Sequence, residues 1–264
     1  MQLERFYNAK QPEIESLRAL AAQDSLPAPY SGKRPDFAAA LQRHGQGPLA
    51  VIAEYKRASP SRGVICETLN VEDVATQYAA AGASCLSVLT EEKYFRGALA
   101  FLERAHSVAP DVPLLRKDFI FDSLQVKATV ATPASAMLLI VRLTPDVTQL
   151  RRLREEALQH GVASVVEVFD AEDLRLARES GADIIQVNAR DLQTLAVDRK
   201  ACLELARQYP PHSGEIWIQA SGVSSHQHLL EARDVGYTAA LVGTALMEGG
   251  QPGKALATLL DTGA

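Results

Sequence analysis

The stretch ASVVEVFDAEDLRLARESGADIIQVN, Ala163 to Asn188, holds one full repeat of the chain's architecture. Its ends, ASVVEV and DIIQVN, are apolar runs of the length of a buried strand. Neither alternates polar with apolar residues, the pattern expected when both faces of a sheet are covered. The segment between them, AEDLRLARESGA, has helical spacing and closes on Gly181, a common helix stop. Asp170 stands where a side-chain oxygen caps the first turn.

Similar runs recur at LAVIAEY, SCLSVLT, VPLLRK, SAMLLIV, IWIQAS and TAALVG. Helix-like segments separate them, among them VEDVATQYAAAGA, DVTQLRRLREEALQHG with Asp146 at its start, and SHQHLLEARDVGY. Eight such runs alternating with helices predict an α/β fold, a (β/α)8 TIM barrel. An open doubly wound sheet is the main alternative. No GxGxxG follows the first run, which weakens its dinucleotide-binding form. Nothing between Val51 and Gly243 reads as a linker, so residues 1–264 are expected to form one domain. Within it, about 1–46 is read as an N-terminal helical extension. It comprises a helix from Met1 to about Ala22, the breaker SLPAPYSGKRP, and a short helix from roughly Asp36 to His44.

With 47% hydrophobic and 22% charged residues in 264, the chain can fill a core and is not disordered. Its formal net charge of −5 offers no broad basic field for nucleic acid, although a local pocket for a small anion remains compatible. Cys66, Cys85 and Cys202 are far apart and form no CxxC, so neither a disulfide framework nor a zinc site is expected. Cys85 sits in an apolar run and reads as a small core residue. The N-terminus MQLERFYNAK lacks a basic-then-apolar secretion signal. No apolar stretch reaches the ~20 residues of a membrane span. The expectation is a soluble cytoplasmic protein.

A barrel of this kind builds its active site at the C-terminal ends of its strands. The first run ends in Glu54 and Lys56, and the second leads into LTEEKYF, Leu89 to Phe95. The third ends in Arg116, Lys117 and Asp118, and the fourth near Arg142. The fifth carries Glu167, and the sixth Asn188 with Arg190 close behind. The seventh gives Ser221 and Gly222, the eighth Gly243 and Thr244. The two-residue period of a strand puts Ile52, Glu54 and Lys56 on one face. A Glu54–Lys56 ion pair bracing the rim is the bland reading. It weakens once Lys117, Glu167 and Asn188 reach the same rim, because converging polar groups are costly unless a ligand or reaction uses them. Lys117, beside a second ammonium, is the best acid candidate, and Glu167 is its natural partner in proton transfer. The bland alternative for Lys117 is an exposed strand-end lysine paired with Asp118. The small residues of ASGVSS and VGTALM let backbone N–H groups approach an anion, and loops after strands 7 and 8 often hold a phosphate. Ser59 adds a hydroxyl from the first loop. His226 and His228 are read as solvent-facing, Trp217 as packing, and Leu150 to Glu156 as a solvated helix face. No cluster suggests a metal.

These motifs, IAEYKRASPSRG, LTEEKYF, LLRKDFI, LLIVRL, VVEVFD, VNARDL, SGVSS and VGTALM, occur in order from about Ile52 to Met247. Together they resemble the indole-3-glycerol phosphate synthase family, and the N-terminal extension matches as well. The resemblance implies a carboxy-lyase of tryptophan biosynthesis that closes the pyrrole ring of indole. The substrate would be 1-(2-carboxyphenylamino)-1-deoxyribulose 5-phosphate, losing carbon dioxide and water with no cofactor. By position, the resemblance makes Lys117 the general acid at the ketone and sets Lys56 near the substrate carboxylate. Glu167 assists dehydration, and Glu54 and Asn188 orient the lysines and substrate hydroxyls. Arg190 braces the mouth, Phe95 and Leu192 line an aromatic pocket, and Ser59, Ser221, Gly222, Gly243 and Thr244 match phosphate positions. The implied partner is the phosphorylated substrate, with no nucleic acid and no membrane, and the chain is expected to be a monomer or weak homo-oligomer.

Two positions depart from the family pattern. Strand 7 commonly carries Glu-Ser-Gly, and here it is Ala220-Ser221-Gly222. A small residue commonly stands where Gln186 is found. Two rival readings follow: a phosphoribosylanthranilate isomerase, which needs Cys and Asp at strand ends, and a sugar-phosphate-binding paralogue with impaired catalysis, for which Ala220 is the support.

Overall fold

The computed structural model describes residues 2–42, 48–191 and 194–261. Eight parallel strands close into a barrel: β1 (Ala50–Tyr55), β2 (Cys85–Leu89), β3 (Leu114–Lys117), β4 (Ala136–Ile140), β5 (Ala163–Val168), β6 (Ile184–Asn188), β7 (Ile216–Ala220) and β8 (Ala239–Val242). The ring shuts through β1, which pairs Ile52 with Cys85 of β2 and Ala53 with Val242 of β8. This excludes the open doubly wound sheet.

Alternate residues of each strand divide between two cores. Ile52, Leu115, Leu138, Val165, Ile184, Ile218 and Leu241 fill the barrel, with Cys85 buried among them. Val51, Ala53, Leu86, Met137, Val166, Ile185 and Trp217 face outward under the surrounding helices. Trp217 is fully buried, as the packing reading expects, and its Nε1 donates to Glu215 Oε2 at 2.9 Å. The helix Val147–Leu158 buries Leu150 and Leu153 and exposes Arg151 and Arg152. Asp146 and Asp170 both cap helices, accepting from the backbone N–H of Thr148 and Asp173. Each such cap stabilises by about 1 kcal/mol.

The N-terminal extension forms α1 (Gln2–Ala22) and α2 (Phe37–Gln42). α2 begins one residue later than expected. Asp36 lies outside the helix as its cap, with Ala39 N donating to Asp36 Oδ1 at 2.9 Å, and the expected end at His44 lies outside the described residues. Phe37 and Leu41 join the barrel-filling core and plug its N-terminal end, where α2 packs on β1, β2 and β7.

α1 reaches the opposite end. Phe6 stacks on Phe119 with centroids 4.2 Å apart, and Tyr7 on Phe121 at 4.3 Å. Beside them Lys10 and Glu13 engage Asp118 and Arg116, the residues flanking Lys117 on β3. One element was not foreseen. The first loop carries a small antiparallel hairpin, Ala58–Ser59 with Gly63–Val64, that folds it over the barrel mouth.

Two histidines differ from expectation. His226 and His228 are half-buried rather than solvent-facing, because the helix His226–Asp234 packs near the last helix, Pro252–Leu260. His226 Nδ1 lies 3.2 Å from Leu259 O, and Ser224 N donates to His228 Nδ1 at 3.3 Å. Among the described residues no helix is long and apolar enough to cross a membrane.

Candidate active site

β1 delivers Glu54 into the barrel mouth, where it is buried. Its Oε1 accepts from Lys56 Nζ at 2.8 Å and its Oε2 from Ser87 Oγ at 3.4 Å. Tyr78, buried behind the strand, donates to the Glu54 carbonyl at 3.2 Å and anchors the backbone. Burial pushes the Glu54 carboxyl up, but the charges of Lys56 and Lys117, with the two hydrogen bonds, outweigh it and hold the group below its ordinary value. Gly243 at the end of β8 makes this position available. A Cβ there would lie 2.4 Å from Glu54 Oε1, closer than any side chain permits.

Lys117 ends β3 and points inward. Its Nζ lies 3.9 Å from Glu167 Oε2 on β5. The alternative pairing with Asp118 does not occur. Asp118 faces the other way, 3.0 Å from Arg116 Nη2 and 2.9 Å from Lys10 Nζ. Burial raises Asp118, and Arg116 and Lys10 more than reverse that, so it stays ionised below the usual carboxylate range. Glu167 is buried and accepts from Gln186 Nε2.

Asn188 ends β6. Its Oδ1 accepts from Ser221 Oγ and from Arg190 N, both at 2.9 Å. Arg190 Nη1 donates to Leu195 O at 2.9 Å and to Ser61 Oγ at 3.2 Å, tying the first loop to the sixth. Ser221 and Gly222 both take left-handed backbone angles, with φ of +67° and +77°. Ser221 in that region is strained, and such strain concentrates at functional sites. Thr244 opens a short helix, Thr244–Met247, after β8. Ser59 Oγ accepts from Arg62 N at 3.2 Å and shapes the turn of the hairpin.

A cavity of about 400 Å³ opens at this end of the barrel. Glu54, Lys56, Ser59, Phe95, Lys117, Glu167, Asn188, Arg190, Ser221, Gly222, Gly243 and Thr244 all line it. Leu192 lies outside the described residues. Arg142 is not brought in. It pairs with Asp170 and Asp173 on the outside, because the short 3-10 turn Val141–Leu143 carries it away from the mouth. Among the described residues no cluster of His, Cys, Asp and Glu could hold a metal.

Sequence reasoning missed several residues. Phe6 of α1 and Phe119 add apolar wall to the cavity. Glu91 accepts three backbone N–H groups, from Lys93, Tyr94 and Phe95, and so fixes the turn that presents Phe95. Burial raises Glu91 against those three bonds. The LTEEKYF motif contained that signal, since an acidic residue just before a short helical turn is a cap candidate. Arg62 and Ser61 reach the rim from the hairpin, with Arg62 Nη1 3.6 Å from Glu248 Oε1.

Fold and cavity together define a (β/α)8-barrel protein whose C-terminal mouth gathers two lysines, two buried carboxylates and small-residue loops suited to an anion. Likeness to solved structures supports the fold alone. A 3-hexulose-6-phosphate synthase matches with a TM-score of 0.64 at 15% identity, over 82% of this chain and all of that one. An N-acetylmannosamine-6-phosphate 2-epimerase from Clostridium perfringens matches at 0.61 and 13%, over 85% of this chain and 96% of that one. Sequence carries the comparison further. The family model described as indole-3-glycerol phosphate synthase matches residues 3–259. The indole-3-glycerol phosphate synthase of Koribacter versatilis is 41% identical over 85% of each chain, and that of Roseiflexus sp. 39% identical over 93% of each. The relative from Albidiferax ferrireducens is 36% identical over 98% of each. The chain belongs to the indole-3-glycerol phosphate synthase family.

Proposed function

We propose that the chain converts 1-(2-carboxyphenylamino)-1-deoxyribulose 5-phosphate to indole-3-glycerol phosphate, with the residues of the barrel mouth as its machinery. The observation that carries this reading is the meeting of Lys117 and Glu167 across the cavity, 3.9 Å apart, beside the Glu54–Lys56 pair. An ammonium and a carboxylate so placed suit a reaction that needs one proton delivered and another removed.

In the first stage the ring carbon bearing the carboxylate attacks the ketone carbon. Lys117 donates a proton to the ketone oxygen as it becomes a hydroxyl. The carboxylate, lying near Lys56, leaves as carbon dioxide and its bonding electrons restore the aromatic ring. In the second stage the new hydroxyl leaves as water and a carbon-bound proton is removed, which completes the pyrrole. Glu167 assists that proton transfer. Glu54 holds Lys56, and Asn188 orients substrate hydroxyls while Ser221 and the Arg190 backbone fix its amide oxygen. Phe95 packs on the aromatic ring and Leu192 completes that wall. The phosphate sits on Ser59, Ser221, Gly222, Gly243 and Thr244, where backbone N–H groups and hydroxyls substitute for water. Arg190 braces the mouth. The reaction proceeds without a cofactor, in the cytoplasm, on a monomer or weak homo-oligomer.

Incubation of the purified chain with this substrate tests the reading. Growth of indole fluorescence with matching release of carbon dioxide is expected. Tight substrate binding without turnover would instead favour the paralogue.

A further inference from the structure

Gln186 lies fully buried inside the barrel, one strand over from Glu167 and in register with it. Its Nε2 donates a hydrogen bond to Glu167 Oε2, the same oxygen that faces Lys117 Nζ. Its Oε1 has no partner among the described residues. Burying an amide with one atom unpaired costs the fold stability, and an apolar side chain of similar volume would avoid that cost. The purpose of this amide is therefore to be found in its N–H.

Three further features narrow that purpose. Glu167 lines the cavity and Gln186 does not, so the amide meets the carboxylate from beneath. On β7 the inward position nearest the mouth is Ala220, which brings only a methyl group to this wall. Among the described residues no hydrogen bond reaches Glu167 Oε1. The amide's hydrogen bond falls on Oε2, and the Lys117 ammonium faces that same oxygen from 3.9 Å.

We propose that Gln186 is a positioning residue for the reaction: through its hydrogen bond to Oε2 it fixes the Glu167 carboxylate with Oε1 turned to the substrate and Oε2 toward Lys117. Without the amide, the carboxylate swings freely about its last torsion, and fewer substrate complexes hold it in a productive orientation. Gln186 touches no reacting atom. Its effect belongs to kcat rather than to substrate affinity. The inference rests on the proposed role of Glu167 in proton transfer.

Four proteins test it: the parent, Gln186→Met, Glu167→Gln and the double variant, each assayed for kcat, KM and melting temperature. Methionine keeps the volume and removes the donor. Gln186→Met is expected to fold, to melt only slightly below the parent because the buried carboxylate loses one donor while the unpaired amide oxygen goes with it, to keep its KM, and to lose about tenfold or more in kcat, as misplacement of a reacting group does. In the Glu167→Gln background the same change is expected to cost nothing further, because the amide acts through the carboxylate. Parental kcat in Gln186→Met, a rise in KM alone, or an equal loss in both backgrounds would overturn the inference while leaving Glu167 in place. So would a Gln186→Met chain that fails to fold or melts well below the parent, since the amide would then be supporting the core. Parental turnover in Glu167→Gln would instead remove the role of Glu167, and the inference with it.

Discussion

Glu54 and Lys56 face the same cavity from one strand end, and Lys56 Nζ donates to Glu54 Oε1 at 2.8 Å. The carboxylate is buried and also feels Lys117, so it is the point at which the two lysines of the mouth are electrostatically joined. Replacing it with the neutral isostere, Glu54→Gln, releases Lys56 from its partner. A loss of about a hundredfold in kcat is expected, of the order that one positioned acid–base group contributes. Steady-state fluorescence assays check it.

The same carboxylate gives a pH signature. Its pKa is lower in the folded chain than the ordinary 4.5. Its contribution to stability is therefore complete above that ordinary value and is lost as pH falls through the lower folded one. Urea unfolding of the parent and of Glu54→Gln should give a difference in stability that is constant above about pH 5 and shrinks steadily below about pH 4. A difference that grows on acidification would contradict the pairing.

Gly243 predicts a steric consequence. A methyl group there would lie 2.4 Å from Glu54 Oε1 and 3.1 Å from Glu54 Cβ, so Gly243→Ala must displace the carboxylate. Overpacking of this kind costs about 1–3 kcal/mol. Both the urea midpoint and kcat should fall, and Glu54→Gln should add little to the loss in kcat because the two changes strike the same group.

Arg116 predicts a contrast between buried and exposed ion pairs. Its guanidinium is buried and reaches Glu13 at 2.9 Å, Asp118 at 3.0 Å and Thr129 Oγ1 at 2.9 Å. Arg116→Met should destabilise the chain by about 3–5 kcal/mol in urea unfolding, because buried partners lose their counter-charge. Activity should fall with it, since Arg116 and Asp118 hold the strand end that carries Lys117. Arg175→Met, which breaks exposed pairs to Glu172 and Glu179, should leave the midpoint unchanged.

Much of this was legible in the sequence because strand ends in a barrel announce themselves. Runs such as SAMLLIV and DIIQVN carry no alternation, so their last residues stand out as the mouth, and Glu54, Lys117, Glu167 and Asn188 were read directly from them. The N-terminal helix was visible, but its attachment was not. Lys10 and Glu13 meet Asp118 and Arg116 across more than a hundred residues of chain, and no local pattern records such a pairing. Sequence proximity alone offers Asp118 as a partner for Lys117, but the strand pleat turns it outward to Arg116 and Lys10. Gln186 stood out as unusual, but only the β5–β6 register shows that its amide falls on Glu167. Arg142 follows the fourth run in sequence, but a single 3-10 turn, invisible to strand periodicity, carries it away from the mouth to Asp170 and Asp173.

The role of Lys117 as general acid is tested most directly by the turnover of Lys117→Ala beside the parent, read as indole fluorescence, together with binding of the product to both proteins. The parent is expected to turn over, and the variant to lose about 10²–10⁴-fold in kcat, as removal of a general acid does, while still binding product. Turnover in Lys117→Ala close to that of the parent would contradict that role and place the acid elsewhere in the mouth.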